Sequence, residues 1–275
     1  MKGVFNNEYM GSRADAGLAG ITVLGCPLDA TSSFRGGTKF APDSIRKASW
    51  TLETYSPYLK QDLDEMMFYD AGNLELPPGN LEHALELIEG AVAEMVEKSK
   101  KILVLGGEHL VTYPILKAMT KRHRDMQIVH FDAHCDLRDE YEGQKLSHAT
   151  VMKRVRELGR SEMFQIGIRS GTRREFEELA PIDSPASLAA RLTRSTPTYI
   201  SFDMDVFDPS LVGGVTTPEP GGLTFNAVME YFSVLMGMNI IGADIVELAP
   251  DYDATFVSSV TASKVAREML MLLHP

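Results

Sequence analysis

The chain has 275 residues, with 27 Lys and Arg against 38 Asp and Glu and a formal charge of −11. That balance argues against a polyanion such as nucleic acid as partner and suits a cationic small molecule. Two cysteines make no disulfide framework, no run of about 18 apolar residues spans a membrane, and MKGVFNNEYMGSRADAG lacks a signal-peptide core, so a cytoplasmic protein is expected.

In chain order, apolar β-rich runs come first at ITVLG (21–25) and MMFYD (66–70). A helix follows in NLEHALELIEGAVAEMVEK, capped by Asn80 and repeating Leu81, Leu85, Ile88, Val92 and Met95 at helical spacing. Strands are next expected at KILVLG (101–106) and QIVHFD (127–132), a helix in ATVMKRVREL, and a strand at MFQIGI (163–168). The segment 180–192 reads as a short edge strand and then a helix entered at Ser184 and Pro185. TYISFD (198–203) and NIIGADIVE (239–247) are the last strands, each followed by a helix, the first of these capped by Thr224. Such alternation predicts an α/β fold with a parallel sheet covered by helices on both faces, in one domain over 1–275.

In such sheets ligands bind beyond the carboxyl ends of the strands. HFDAHCDLRDEYEGQKLSH (130–148) leaves one of those ends with Asp132, His134 and Asp136 at equal parity, so an extended backbone turns them to one side. Unpaired acids this close raise each other's pKa or demand a cation, and a metal ion meets that demand. His130, deeper in the strand, reads as a core histidine, and Cys135, of opposite parity, as packing. Asp203 and Asp205 repeat the pattern in TYISFDMDVFDP, whose Asp208 before a proline is a turn residue. His109 follows two glycines in KILVLGGEHL. Six such ligands exceed one ion with an open position and suit two divalent ions sharing carboxylates; oxygen-rich ligation without thiolate favours Mn²⁺.

GGEHL, FDAHCD, SFDMDVFDP and DIVELAP together resemble the ureohydrolase family of arginases and agmatinases, and GCPLDATSSFRGGTKFAPDSIR resembles its first strand, loop and helix. The resemblance implies a three-layer α/β/α fold on about eight parallel strands, two Mn²⁺ ions, and hydrolysis of a guanidine to urea and an amine. By the same motifs, one ion takes His109, Asp132, Asp136 and Asp203, and the other Asp132, His134, Asp203 and Asp205. Asp136 would also accept and relay a proton, His148 would shuttle protons, and Glu247 would face the guanidinium. Asp244, of opposite parity to Glu247, reads as a structural hydrogen-bonding residue. A homo-oligomer, trimeric or hexameric, is part of the family pattern.

Within the family the motifs are closer to agmatinases, which form putrescine. Asp139, Glu140 and Glu142 are the acids expected near agmatine's second amine, whereas Arg138 could recruit an acidic tail. Guanidinobutyrate, aminopropylagmatine, guanidine and arginine remain alternative substrates, another two-metal hydrolase or a non-catalytic metal-binding relative the remoter ones.

Overall fold

A computed structural model describes residues 7–13, 15–98, 100–159, 161–179 and 181–274. Residues 1–6 and Ala14, part of the stretch read for a signal peptide, and Ala180, the start of the expected edge-strand segment, lie outside them.

The chain opens with β1 (Ile21–Cys26) and α1 (Ala41–Ser49), then a small antiparallel hairpin of β2 (Tyr55–Ser56) and β3 (Gln61–Asp62), and β4 (Phe68–Asn73). It continues through α2 (Leu81–Glu97), β5 (Lys101–Gly106), α3 (Thr112–Thr120), β6 (Met126–Phe131), α4 (Val151–Glu157) and β7 (Ser161–Ile166). The last third holds α5 (Arg173–Glu178), β8 (Pro181–Ile182), α6 (Pro185–Arg191), β9 (Thr198–Asp203), α7 (Phe225–Leu235), β10 (Ile240–Val246) and α8 (Val257–Leu273). Eight strands form one sheet in the order β4-β1-β5-β10-β9-β6-β7-β8, and all seven pairings are parallel.

The expected strands are present, and Asn80, Ser184 and Thr224 cap their helices by accepting the backbone N–H of His83, Ser187 and Ala227. Unanticipated are the hairpin, α3 and α5. For α5 the sequence does carry a signature: Thr172 and Glu175 form a reciprocal capping box.

One core packs α1, α6, α7 and α8 against Val23, Leu103, Phe131 and Phe202; the other packs α2, α3 and α4 against Leu24, Val104 and Ile128. Side chains of successive strand residues therefore alternate between two apolar layers, which is why the strands read as unbroken apolar runs. Among the described residues no helix is long and apolar enough to cross a membrane.

Candidate metal centre

The four central strands β5, β10, β9 and β6 sit side by side, so the segments leaving them emerge together at one edge of the sheet. From them the structure brings together all six expected ligands and Glu247. His109 starts a short 3₁₀ turn after β5. Gly106 and Gly107 before it do not adopt positive φ. The glycine at 107 is needed for close approach instead, because a Cβ there would collide with the Leu28 backbone.

His109 Nδ1 lies 3.2 Å from one carboxylate oxygen of each of Asp132, Asp136 and Asp203. Its other nitrogen, Nε2, is 3.0 Å from Ser201 Oγ, whose proton goes to Asp244 Oδ1 at 2.9 Å, so Nε2 carries the ring hydrogen and donates it to Ser201. In the neutral ring Nδ1 is then a buried acceptor without a hydrogen-bond partner, facing three acceptors. A lone pair so placed against carboxylates is repulsive until a cation sits among them, and the group thus fits a metal. The second half of the centre pairs His134 Nδ1 with Asp205 Oδ2 at 2.9 Å and with Asp132 Oδ1 at 3.6 Å. Asp132 is common to both groups of candidate ligands, as a bridging carboxylate must be.

Electrostatics agree. Burial opposes charge on His109, yet Asp132, Asp136 and Asp203 pull its pKa well above the histidine range. His134 is likewise opposed by burial and lifted to about 12 by Asp132 and Asp205. Asp203 is pushed up by burial and by Asp205 and Asp132, and Asp205 by burial and Asp132. Every shift here reports a site short of positive charge.

Equal parity is not what makes the ligands converge. β6 ends at Phe131, and Asp136 adopts φ 55°, a left-handed turn that swings its carboxylate back to His109. Asp205 sits in a 3₁₀ turn whose N-cap is Asp203, and Asp203 Oδ1 accepts the Asp205 N–H at 2.8 Å. Glu247, one residue past β10, also has positive φ, 63°. Two left-handed non-glycine residues at one site are strain kept for geometry. Glu247 accepts the His109 N–H on Oε1 at 2.5 Å and the Thr216 hydroxyl on Oε2, and burial lifts its pKa to about 7 against those two hydrogen bonds.

His130 is buried, as expected, but it is part of the centre: Gln165 Nε2 donates to its Nδ1 at 3.1 Å, and its Nε2 donates to Asp132 Oδ2 at 2.8 Å. Asp244 is the hydrogen-bonding residue expected, taking the hydroxyls of Thr112, Tyr199 and Ser201. Cys135 is buried with its thiol towards the Ser170 carbonyl, and Asp208 organises a turn through Ser210, Gly221 and Gly222.

A cavity of 240 Å³ is lined by His109, His134, Asp136, Asp203, His148 and Glu247. None of Asp139, Glu140 and Glu142 lines it. Asp139 pairs with Lys153 at 3.6 Å and Arg174 at 3.3 Å, Glu140 is exposed, and Glu142 lines an adjoining 760 Å³ cavity. Tyr141 borders both cavities, so the loop carrying these acids is the wall between them. One acid that sequence reasoning missed is Glu175, a buried wall residue that accepts the Leu137 N–H at 3.1 Å and lies 3.8 Å from Arg138 Nε.

The Arginase family model matches residues 19–272. The agmatinase of Bacillus cereus is 41% identical over 263 residues, covering 91% of each chain. A guanidinobutyrase of Pseudomonas aeruginosa is 34% identical over 271 residues, covering 91% of this chain and 84% of its own. The crystal structure of an agmatine ureohydrolase of Thermoplasma volcanium matches with a TM-score of 0.87 at 31% identity, covering 98% of this chain and 95% of the other. With a strand-end centre of two imidazoles and four carboxylates on an eight-stranded parallel sheet, and a family match across nearly all of its length, the chain belongs to the arginase family.

Proposed function

We propose that the chain hydrolyses agmatine to urea and putrescine with two Mn²⁺ ions, held by His109, Asp132, Asp136 and Asp203 and by Asp132, His134, Asp203 and Asp205. The observation that carries this reading is the orphaned His109 Nδ1 among three carboxylate oxygens, beside a buried Glu247 that borders the same cavity. Manganese is favoured by an oxygen-rich, thiolate-free donor set. When bound, such a metal pair lowers the pKa of water towards neutrality and so supplies a nucleophile strong enough for a guanidinium carbon.

The side chains divide the remaining work. Glu247, fixed at both oxygens, presents negative charge to the guanidinium; its pKa near 7 falls back once a cation lies against it, so substrate binding and ionisation reinforce each other. Asp136, at the cavity wall, accepts the proton of the attacking water. His148, on the same wall, hands a proton to the departing amine, which cannot leave as an amide anion.

Agmatine is preferred because agmatinases stand among the relatives at about 40% identity. Glu142, on the adjoining cavity, is the acid of the 139–142 loop best placed for a cationic tail, since Lys153 and Arg174 already neutralise Asp139. Arg138 favours a second reading, a guanidino acid with a carboxylate tail: it lines the metal cavity, although it is stacked 4.8 Å from the Tyr141 ring and close to Glu175. The same reading places the enzyme in the cytoplasm as a homo-oligomer. Urea release from the Mn²⁺-loaded protein with agmatine, guanidinobutyrate, aminopropylagmatine, guanidine and arginine tests it. The highest kcat/KM is expected for agmatine; a higher value for guanidinobutyrate selects the second reading, and no urea from any of the five rejects both.

A further inference from the structure

We propose that Thr31 and Glu108 are positioning residues that fix the tautomer of His148, keeping one proton on Nδ1 and leaving Nε2 to carry the proton released in turnover. The proposal rests on the reading of His148 as the proton carrier and adds which nitrogen does the work and what decides it.

Glu108 directly precedes the ligand His109, yet its carboxylate serves the loop that follows β1. It is fully buried; its Oε2 accepts the backbone N–H groups of Ala30 and Thr31 at 2.6 and 2.7 Å, and its Oε1 takes the Thr31 hydroxyl at 2.8 Å. The Glu108 N–H in turn donates to the Leu28 carbonyl at 2.8 Å, so the loop is tied to β5 at both levels.

A hydroxyl has one proton, and that of Thr31 is committed to Glu108. Towards everything else Thr31 Oγ1 is an acceptor. It takes the backbone N–H of His148 at 3.0 Å and stands 3.3 Å from His148 Nδ1. With hydrogen on Nδ1 this contact is a hydrogen bond; with a lone pair there it sets two acceptors against each other. Ser147 Oγ, also 3.3 Å from Nδ1, has an uncommitted proton and adapts to either form. On the opposite side of the ring, Nε2 lies 3.3 Å from Ser33 Oγ, and Ser33 lines the metal cavity. The Tyr141 ring stands edge-on to the imidazole at 5.6 Å and holds its plane.

The consequence is a defined proton inventory. In the imidazolium both nitrogens are protonated. As the C–N bond breaks, its electron pair goes to the leaving nitrogen, which takes the proton from Nε2, and His148 is left neutral with hydrogen on Nδ1. That is the form Thr31 stabilises, so proton release is favoured at Nε2, the nitrogen beside Ser33 on the wall of the metal cavity.

The test is ¹⁵N NMR of histidine-labelled full-length protein, with diamagnetic Mg²⁺ in place of Mn²⁺, alongside steady-state kinetics of the Mn²⁺ form. Neutral His148 is expected to show a protonated Nδ1 and a bare Nε2. Thr31→Ser should keep that signature and near-normal turnover. Thr31→Val should move the proton towards Nε2 and lower kcat by about 10- to 100-fold, with KM little changed. A wild-type His148 protonated on Nε2 overturns the proposal, as does a folded Thr31→Val chain with unchanged tautomer or unchanged kcat; if Thr31→Val does not fold, the wild-type spectrum decides. Undiminished turnover in His148→Ala would instead remove the proton-carrier reading underneath, whatever the spectrum shows.

Discussion

Asp132 stands where three imidazoles meet, at 3.2 Å from His109, 2.8 Å from His130 and 3.6 Å from His134, and it also accepts the His134 N–H at 2.6 Å. Burial raises the cost of its charge, but those imidazoles hold its pKa well below the carboxylate range, so it remains an anion available to both metal positions. Asp132→Ala is therefore expected to empty both positions, read as metal per chain by inductively coupled plasma mass spectrometry. His148→Ala should retain both metals while turnover falls by roughly 10²- to 10⁴-fold. Two ions surviving in Asp132→Ala would remove the bridge. At this scale the ligands were legible in the sequence because chemistry-bearing residues cluster after apolar strands. Asp244 was readable as a hydrogen-bonding residue, but what the supports hold was not: Ser201 faces Asp244 on one neighbouring strand and His130 on the other, and His130 faces Gln165 beyond, in a register that no local pattern encodes.

Elements contribute by holding the turns that aim the ligands. The capping box that starts α5 does two jobs, since Glu175 accepts the Thr172 N–H at 2.8 Å and the Leu137 N–H at 3.1 Å, next to the left-handed Asp136. Glu175→Ala should destabilise the fold by about 1–3 kcal/mol, because the buried Leu137 N–H and the helix-capping Thr172 N–H both lose their acceptor. It should also weaken metal binding, whereas Thr172→Ala should cost only about 1 kcal/mol and spare it. Thermal melts and Mn²⁺ titration of the two variants separate these effects; equal Mn²⁺ affinity would show that Glu175 serves α5 alone. Arg169 plays a similar part after β9, donating to the carbonyls of Asp205, Phe207 and Glu219 and so pinning the loop that carries Asp205. Elements were readable wherever periodicity was long. α6, only seven residues long, was readable from its Ser184 cap and Pro185, whereas α3 and α5 escaped: α3 carries Pro114 in its first turn, and α5 has only six residues, too few for a period to emerge.

Across the whole molecule, the eight-stranded sheet delivers an excess of buried negative charge to one edge, and stability is linked to what neutralises it. Glu247 holds a proton up to about 7 when folded against an ordinary 4.5, and His134 up to about 12 against 6.5. Both bind protons more tightly folded than unfolded. The metal-free chain thus has their full contribution below the lower value of each pair and loses it as pH rises to the upper one. Metal binding needs His134 and the other ligands deprotonated and works in the opposite direction. Between pH 8 and pH 6 the Tm of EDTA-treated protein should rise and that of the Mn²⁺-loaded protein fall, at roughly 2–4 °C per kcal/mol; slopes of equal sign would contradict this linkage. The sheet itself was foreseeable from alternating apolar runs. Its strand order was not, and the order β5-β10-β9-β6 is what gathers distant motifs into one centre. The most direct test of that centre is anomalous diffraction from crystals grown with Mn²⁺. Two peaks about 3.5–4 Å apart are predicted, one against His109 and Asp136, the other against His134 and Asp205, with Asp132 and Asp203 between them. A single peak, or a pair that does not share Asp132 and Asp203, would contradict the account.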